Sequence, residues 1–144
     1  MFREINEEHR LESTLTGEAA IRVLVIDDNK AHAEGLAELL QLAGFDAAYV
    51  LTGGAGVESA QNHPVDAVLL DMNLPDMNGF EVCRKLRNDP RTTNVAVVFH
   101  TAQGSVPGSR HPGDAFLTYP VAMEEVYAVI RKSVDRRRRR FMNW

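Results

Sequence analysis

Short apolar runs bounded by turn residues recur through the chain and predict five β-strands, at residues 21–26, 45–51, 65–70, 94–100 and 115–118. Between them, apolar residues return every three or four positions, which is the spacing of one buried helix face. The first helix should bury Leu36, Leu39, Leu40 and Ala43, and the last should bury Met123, Val126, Tyr127, Ile130 and Val134. Strands that alternate with helices of this length predict an α/β fold with a parallel sheet covered on both faces.

The segment between the fourth and fifth strands breaks this alternation. Residues 102–113 hold three Gly and two Pro and show no helical period. Inside a helix each Gly costs about 1 kcal/mol relative to Ala, and Pro costs about 3 kcal/mol. We therefore expect a loop here, or at most one helical turn.

Composition limits the class of protein. At 144 residues, with 44% hydrophobic and 25% charged residues, the chain should form one globular domain. Its single cysteine, Cys83, excludes an internal disulfide framework, and we expect it in the core. No apolar run approaches the roughly 20 residues of a membrane span, and the polar, acidic N-terminus excludes a secretory signal. A cytoplasmic location is expected, and the Met start and basic finish favour a complete chain.

The net charge of −4 is unevenly distributed. Residues 1–20 carry two Arg and five Glu, whereas residues 131–144 carry seven Arg or Lys and one Asp. The arginine run 136–140 could bind phosphates of nucleic acid or of a membrane surface. It is also typical of the solvated end of a helix. Because the run lacks interleaved aromatic residues, nucleic-acid binding is not expected.

Acidic residues follow two of the buried strands. Asp27 and Asp28 come directly after the first strand, Asp71 follows the third, and Thr101 follows the fourth. The carboxyl ends of parallel strands meet at one edge of the sheet. Three neighbouring carboxylates need a counter-charge, and a hard divalent cation would supply it. The alternative is structural: Asp28 or Asn29 could simply cap the first helix.

Two other features favour structural roles. Residues 53–56, Gly-Gly-Ala-Gly, lack the Gly-Lys-Ser/Thr of a phosphate-binding loop and indicate the start of a helix. His100 should point away from the Thr101 side of its strand and pack against neighbours.

Taken together, these residues resemble the receiver domain of two-component response regulators. The resemblance rests on Asp27-Asp28, on Asp71 followed by Pro75 and Gly79, on Thr101-Ala102, and on the segment Phe-Leu-Thr-Tyr-Pro at 116–120. It implies a flavodoxin-like, doubly wound, five-stranded parallel sheet in the order 2-1-3-4-5, here with the fourth helix missing or replaced by a loop. The organisation would be an N-terminal extension (1–20), a receiver domain (21–134) and a basic C-terminal tail (135–144).

The resemblance also implies a chemistry. Asp71 would accept a phosphoryl group from a histidine kinase or phosphotransfer protein, with Mg²⁺ held by Asp27, Asp28, Asp71 and the backbone carbonyl of Asn73. Thr101 would bond a phosphoryl oxygen, and Phe116 would be the switch aromatic. Such a domain is a phosphoacceptor with at most weak self-dephosphorylation, and it relays its state to a downstream protein that the sequence does not identify.

One position departs from the family. Tyr119 stands where the family has a lysine that pairs with the phosphoryl group. A neutral hydroxyl contributes about 1 kcal/mol where a charged donor contributes about 1.5–3 kcal/mol. We therefore expect weaker phosphoryl retention, or weaker coupling to the signal, with Mg²⁺ binding kept. Arg110 or His111 could supply a substitute charge. The alternative function is a phosphorylation-independent pseudo-receiver that acts as a protein-interaction module.

Overall fold

The computed structural model describes residues 19–102 and 110–142. Five strands and four helices alternate within these ranges: β1 Arg22–Ile26, α1 Lys30–Leu42, β2 Asp46–Val50, α2 Gly53–Asn62, β3 Ala67–Leu70, α3 Gly79–Arg87, β4 Ala96–Ala102, β5 Ala115–Tyr119 and α4 Met123–Met142. The described residues between β4 and β5 contain no helix. Most of the predicted N-terminal extension, and residues 103–109 of the predicted loop, lie outside the described residues.

The five strands form one parallel sheet in the order β2-β1-β3-β4-β5, which confirms the predicted flavodoxin-like topology. Because β1 is followed by β2 on one side and β3 lies on its other side, the direction of winding reverses between β1 and β3. Open α/β sheets bind their ligands outside the carboxyl ends of the strands at such a point.

Each face of the sheet carries its own hydrophobic core. Val23, Val25 and Leu69 face α1 and α4, whereas Leu24 and Val68 face α2 and α3. All five side chains are at most 1% exposed. Burying an aliphatic side chain of this size stabilises the fold by about 1.5–3 kcal/mol. Because these strands are covered on both faces, consecutive residues are buried, and their sequences are continuous apolar runs.

Local sequence fixes the helix ends. The side chains of Asn29, Thr52 and Asn78 cap α1, α2 and α3 by accepting bonds from backbone N–H groups in the first turn. Of the two predicted caps for α1, Asn29 is therefore the one that acts. Gly44 ends α1 with a φ of 98°, a conformation in which glycine avoids the Cβ clash.

Two expectations, one about a side chain and one about the end of a strand, need correction. Leu39 was expected in the core but is 42% exposed, because the buried stripe of α1 runs through Ala33, Leu36, Ala37 and Leu40. The fourth strand was expected to end at residue 100, but β4 continues to Ala102 because it pairs with β5 as far as Tyr119. The expectation for Cys83 is confirmed, since it is fully buried.

Asp114 ties the amino-terminal ends of β4 and β5 to two helices. Its carboxylate accepts bonds from the Val97 N–H at 2.8 Å, the Arg87 guanidinium at 3.1 Å and the Arg137 guanidinium at 2.8 Å. The three charged side chains are between 14% and 22% exposed. A carboxylate shared by two shielded guanidinium groups therefore joins α3 and α4 across the sheet edge.

The arginine run 136–140 continues α4, so the boundary predicted at residue 134 does not coincide with a break in the helix. Three of its arginines are paired within the chain: Arg137 with Asp114, Arg138 with Asp66, and Arg139 with Asp135. This pairing reduces the positive charge that the run can offer to another molecule. Among the described residues, no helix is long and apolar enough to cross a membrane.

We predict that Asp114→Ala lowers the free energy of unfolding by about 3 kcal/mol, because it leaves two shielded guanidinium groups without their anion. Urea denaturation monitored by circular dichroism measures this change. The matched control is Asp135→Ala, which removes an exposed pair with Arg139 and should cost less than about 0.5 kcal/mol. Equal losses for the two variants would contradict the role of Asp114.

Candidate functional site

Asp27 and Asp71 lie one residue beyond the ends of β1 and β3. Backbone pairing continues to both, because the Asp27 N–H donates to the Val50 carbonyl at 3.2 Å and the Asp71 N–H donates to the Ile26 carbonyl at 2.9 Å. The sheet itself therefore fixes where these two side chains begin. Carboxylate oxygens of Asp27, Asp28 and Asp71 all lie within 4.8 Å of one another. The predicted acidic cluster is present at the winding reversal.

Asp71 is buried, with 8% of its surface exposed. Its Oδ1 accepts a bond from the Thr101 hydroxyl at 2.9 Å and a longer one from the Asn73 N–H at 3.4 Å. Burial raises the pKa of the Asp71 carboxyl, and the charge of Asp27 raises it further, while these two hydrogen bonds oppose the shift. Asp71 is therefore a carboxylate whose ionised form would gain from added positive charge.

Both oxygens of Asp27 are held by donors from the start of α1. Oδ1 accepts from the Asn29 N–H at 2.9 Å, and Oδ2 lies 2.5 Å from His32 Nδ1. Asp27 is 3% exposed. Among the described residues no Lys or Arg forms an ion pair with Asp27, Asp28 or Asp71. The basic side chain that contacts the cluster there is His32.

His32 was missed by the sequence reasoning. The Asn29 cap starts α1 so that its first turn brings His32 back to Asp27, five residues earlier. A histidine in the first turn of a helix that follows an acidic strand end is the only signal that could have suggested this contact, and it is weak without knowledge of where the helix begins.

Tyr119, at the position of the family's lysine, lies in an aromatic group with two histidines. Its ring centroid is 5.0 Å from that of His32 and 4.8 Å from that of His100, and the two imidazoles stack at 5.7 Å. Burial raises the pKa of the Tyr119 hydroxyl, and the charges of Asp71, Asp27 and Asp28 add to the rise. Tyr119 is thus a neutral group at neutral pH.

His100 is buried, as expected for a packing residue, but it packs against site residues. It is 4% exposed, and its Nδ1 has no hydrogen-bond partner among the described residues. Burial, with a smaller contribution from His32, lowers the pKa of His100 to about 4. Its imidazole is therefore neutral at physiological pH.

The remaining predicted site residues lie around this centre. Phe116 stacks on Phe99 at 5.2 Å on the α3 side of the sheet, and His111 packs on both rings. Within the described ranges neither His111 nor Arg110 forms an ion pair with the acidic cluster. The substitute charge that one of them could have supplied is thus not seen among the described residues. The metal role of the Asn73 carbonyl and the switch role of Phe116 stay predictions.

Gly79 is required by a close approach of two backbone segments. Its N–H donates to the Met72 carbonyl at 2.8 Å. A Cβ at this position would lie 2.7 Å from the Asp71 carbonyl oxygen and 3.0 Å from the Phe99 ring. A larger residue would therefore push against the backbone that carries Asp71.

The donor set fits Mg²⁺. Hard divalent cations take carboxylate oxygens, and Mg²⁺ uses one or two carboxylates together with water and phosphate oxygens. Asp27, Asp28 and Asp71 supply such oxygens at mutual distances of 4.8 Å or less. Burial and the charge of Asp27 raise the pKa of Asp71, and a bound cation would offset both effects.

Comparison with known proteins agrees with this geometry. Residues 23–131 match the response regulator receiver domain family. The chain is 34% identical over 119 residues to the DNA-binding dual master transcriptional regulator RpaA of Synechocystis sp., covering 80% of this chain and 49% of RpaA. It is 35% identical to the DNA-binding response regulator MtrA of Mycolicibacterium smegmatis, covering 80% of this chain and 51% of MtrA. The chain thus spans about half the length of these two relatives.

Solved structures share the fold. A sensor protein from Polaromonas sp. JS666 superposes with a TM-score of 0.76 at 27% identity, covering 83% of this chain and 99% of that one. The receiver domain of sensor histidine kinase PA1611 from Pseudomonas aeruginosa PAO1, solved with a magnesium ion coordinated in its active site cleft, gives a TM-score of 0.73 at 23% identity. It covers 81% of this chain and 99% of that chain.

We predict that His100 makes the stability of the metal-free protein fall as the pH decreases from 7 to 5. The unfolded chain binds a proton on this histidine near pH 6.5, whereas the folded chain does so only near the lowered pKa of about 4. The expected contribution of His100 is a loss of about 2 kcal/mol between these pH values. Urea denaturation in EDTA at both pH values, for wild type and His100→Leu, measures it.

The raised pKa of Asp71 acts in the opposite direction, because its added proton stabilises the folded state as the pH falls. This contribution is common to both proteins and cancels in their difference. A pH-dependent loss of the same size in His100→Leu and in wild type would contradict the prediction.

Proposed function

The chain belongs to the response regulator receiver domain family, and on that premise we propose that it is a phosphoacceptor of two-component signalling. Asp71 would take a phosphoryl group from a phosphohistidine of a histidine kinase or phosphotransfer protein. The observation that carries this proposal is the placement of Asp71. It lies at the carboxyl edge of the sheet and is 8% exposed. It accepts a hydrogen bond from Thr101 and lies beside two further carboxylates.

The step would be a displacement at phosphorus. One Asp71 oxygen attacks the phosphoryl group, the bond from phosphorus to the histidine nitrogen breaks, and the nitrogen leaves with its electron pair and takes a proton from solvent. Thr101 already donates to Asp71 Oδ1 at 2.9 Å, so its hydroxyl is within reach of an oxygen on the group that Asp71 accepts. The β1 and β3 ends hold Asp27 and Asp71 in fixed register during this exchange.

We propose Asp27, Asp28 and Asp71 as side-chain ligands of Mg²⁺, with the Asn73 carbonyl as a further ligand. When bound, the ion would neutralise charge on the carboxylates and on the incoming phosphoryl oxygens. In the receiver domain of PA1611 a magnesium ion is coordinated in the active site cleft, which supports the same assignment here. The product is an acyl phosphate on the protein, so the domain is a stoichiometric acceptor with at most weak self-dephosphorylation.

The partners follow from the same proposal. A phosphohistidine protein would dock at the carboxyl edge of the sheet, and an unidentified protein would respond to the modified state. RpaA and MtrA are DNA-binding regulators by name, but this chain spans only about half of either. The paired arginines of α4 give no support to nucleic-acid binding by the described residues. The comparisons likewise give no support to the phosphorylation-independent alternative.

We predict that incubation with acetyl phosphate and Mg²⁺ adds the mass of one phosphoryl group to the wild-type chain, and that Asp71→Asn abolishes this addition because an amide oxygen does not displace the donor. Intact-mass spectrometry measures the adduct. EDTA should suppress it in wild type. The control Asp135→Asn, a change on the exposed face of α4, should be modified like wild type.

Absence of an adduct with every small phosphodonor and with beryllofluoride, a phosphoryl analogue, would favour the pseudo-receiver. Modification of Asp71→Asn to the wild-type extent would assign the phosphoacceptor to another residue. The two outcomes are distinguished by the same spectra.

We also predict that Tyr119→Lys binds beryllofluoride about tenfold more tightly than wild type, because a charged donor replaces a neutral one beside the acceptor. Fluorine NMR titration in the presence of Mg²⁺ measures the affinity. Tyr119→Phe removes only the hydroxyl and should not tighten binding. If Tyr119→Lys binds no better than Tyr119→Phe, the missing cation is not what limits phosphoryl retention.

A further inference from the structure

The contacts of His32 support an inference that goes beyond the function proposed above and rests on it. His32 does not belong to the acidic motif, yet its imidazole contacts the carboxylate at the centre of the cluster. Its Nδ1 lies 2.5 Å from Asp27 Oδ2, and its side chain is 33% exposed. Asp27 is 3% exposed, so very little water can reach that oxygen in its place.

We propose that His32 is a positioning residue for the metal site: it fixes the Asp27 carboxylate through Nδ1, and the rings of His100 and Tyr119 fix His32. The imidazole acts here as a hydrogen-bond donor from Nδ1, and the proposal needs no change in its protonation. With the Asn29 N–H on Oδ1 and His32 on Oδ2, each oxygen of Asp27 keeps one lone-pair direction for a cation. The carboxylate can then rotate very little.

The aromatic group explains why His32 can hold this position. Tyr119 meets the His32 ring edge-on at 5.0 Å, and His100 stacks on it at 5.7 Å with an interplanar angle of 21°. The Asn29 cap sets the rotation of the first turn of α1. Three elements, α1, β4 and β5, therefore determine one imidazole orientation.

This arrangement places Tyr119 and His32 in one unit. Tyr119 lacks the positive charge that the resemblance places at this position, and its ring packs against a histidine that contacts Asp27. A lysine side chain would offer no aromatic surface to His32. The tyrosine is then a structural partner of Asp27 through His32.

The test is the Mg²⁺ affinity of the full chain without any phosphodonor, measured by NMR titration of backbone amides around Asp28 and Asn73. His32→Phe keeps an aromatic ring and removes the donor. His32→Asn removes the ring and keeps an N–H₂ donor on the same γ carbon. Outer-shell changes of this kind cost about 10–100-fold in metal affinity. We expect His32→Phe to show that loss and His32→Asn to recover at least part of it.

The matched control is His63→Gln, an exposed histidine at the carboxyl end of α2, which should bind Mg²⁺ like wild type. Amide dispersion and urea denaturation establish that each variant is folded, so a lost fold is not read as lost affinity. In metal-free protein, the carboxyl ¹³C shift of Asp27 should change in His32→Phe and stay close to wild type in His32→Asn.

Wild-type affinity in His32→Phe would overturn the proposal, as would a larger loss in His32→Asn than in His32→Phe. The first result would mean that the hydrogen bond does not position the ligand, and the second that only ring packing matters. If wild type itself binds no Mg²⁺, the proposed function fails. That failure is distinguishable from failure of the present proposal, because the carboxyl ¹³C shift of Asp27 still reports whether His32 holds the Asp27 carboxylate.

Discussion

Negative charge concentrated at one sheet edge is the constraint on which this structure depends. The register of β1 and β3 leaves Asp27 and Asp71 at neighbouring strand ends, and Asp28 brings the third carboxylate to within 4.8 Å. Such a cluster opposes folding unless donors, a cation or protons offset the repulsion. The Asn29 N–H, His32 and Thr101 supply the donors. The apolar strands underneath supply the burial energy that holds the edge together.

A tyrosine replaces the family's lysine, and it packs against a buried histidine. His100, with its pKa lowered to about 4, and Tyr119, with its pKa raised, both remain uncharged at neutral pH. The local balance of charge at the acidic edge is therefore more negative than with a lysine present. A more negative edge would favour cation binding and disfavour a further anion, so the tyrosine would act in opposite directions on the proposed Mg²⁺ and on the proposed phosphoryl group.

The sequence was sufficient for the sheet and for the acidic cluster because both depend on local patterns. Apolar runs indicate buried strands, and the acidic residues directly follow two of these strands in the sequence. It was insufficient for His32, whose contact with Asp27 depends on where α1 begins and on how its ring packs against β4 and β5. The end of β4 and the exposure of Leu39 were mistaken for a related reason. Each is decided by a neighbouring element rather than by the segment itself.

Thr101 links the acceptor to the edge of the sheet. Its hydroxyl bonds Asp71, while its backbone pairs with Thr118 in β5, and the adjacent pairs join Phe99 to Phe116 and Ala102 to Tyr119. A group added to Asp71 must compete for the Thr101 hydroxyl, because that hydroxyl has one proton to donate. Such a change would act first on β4 and β5, where Phe116 lies on one face of the sheet and Tyr119, in contact with His32, lies on the other. Asp71, the proposed acceptor, and Asp27, a proposed metal ligand, are thus both linked by contacts to Tyr119, the first through Thr101 and β4 and the second through His32.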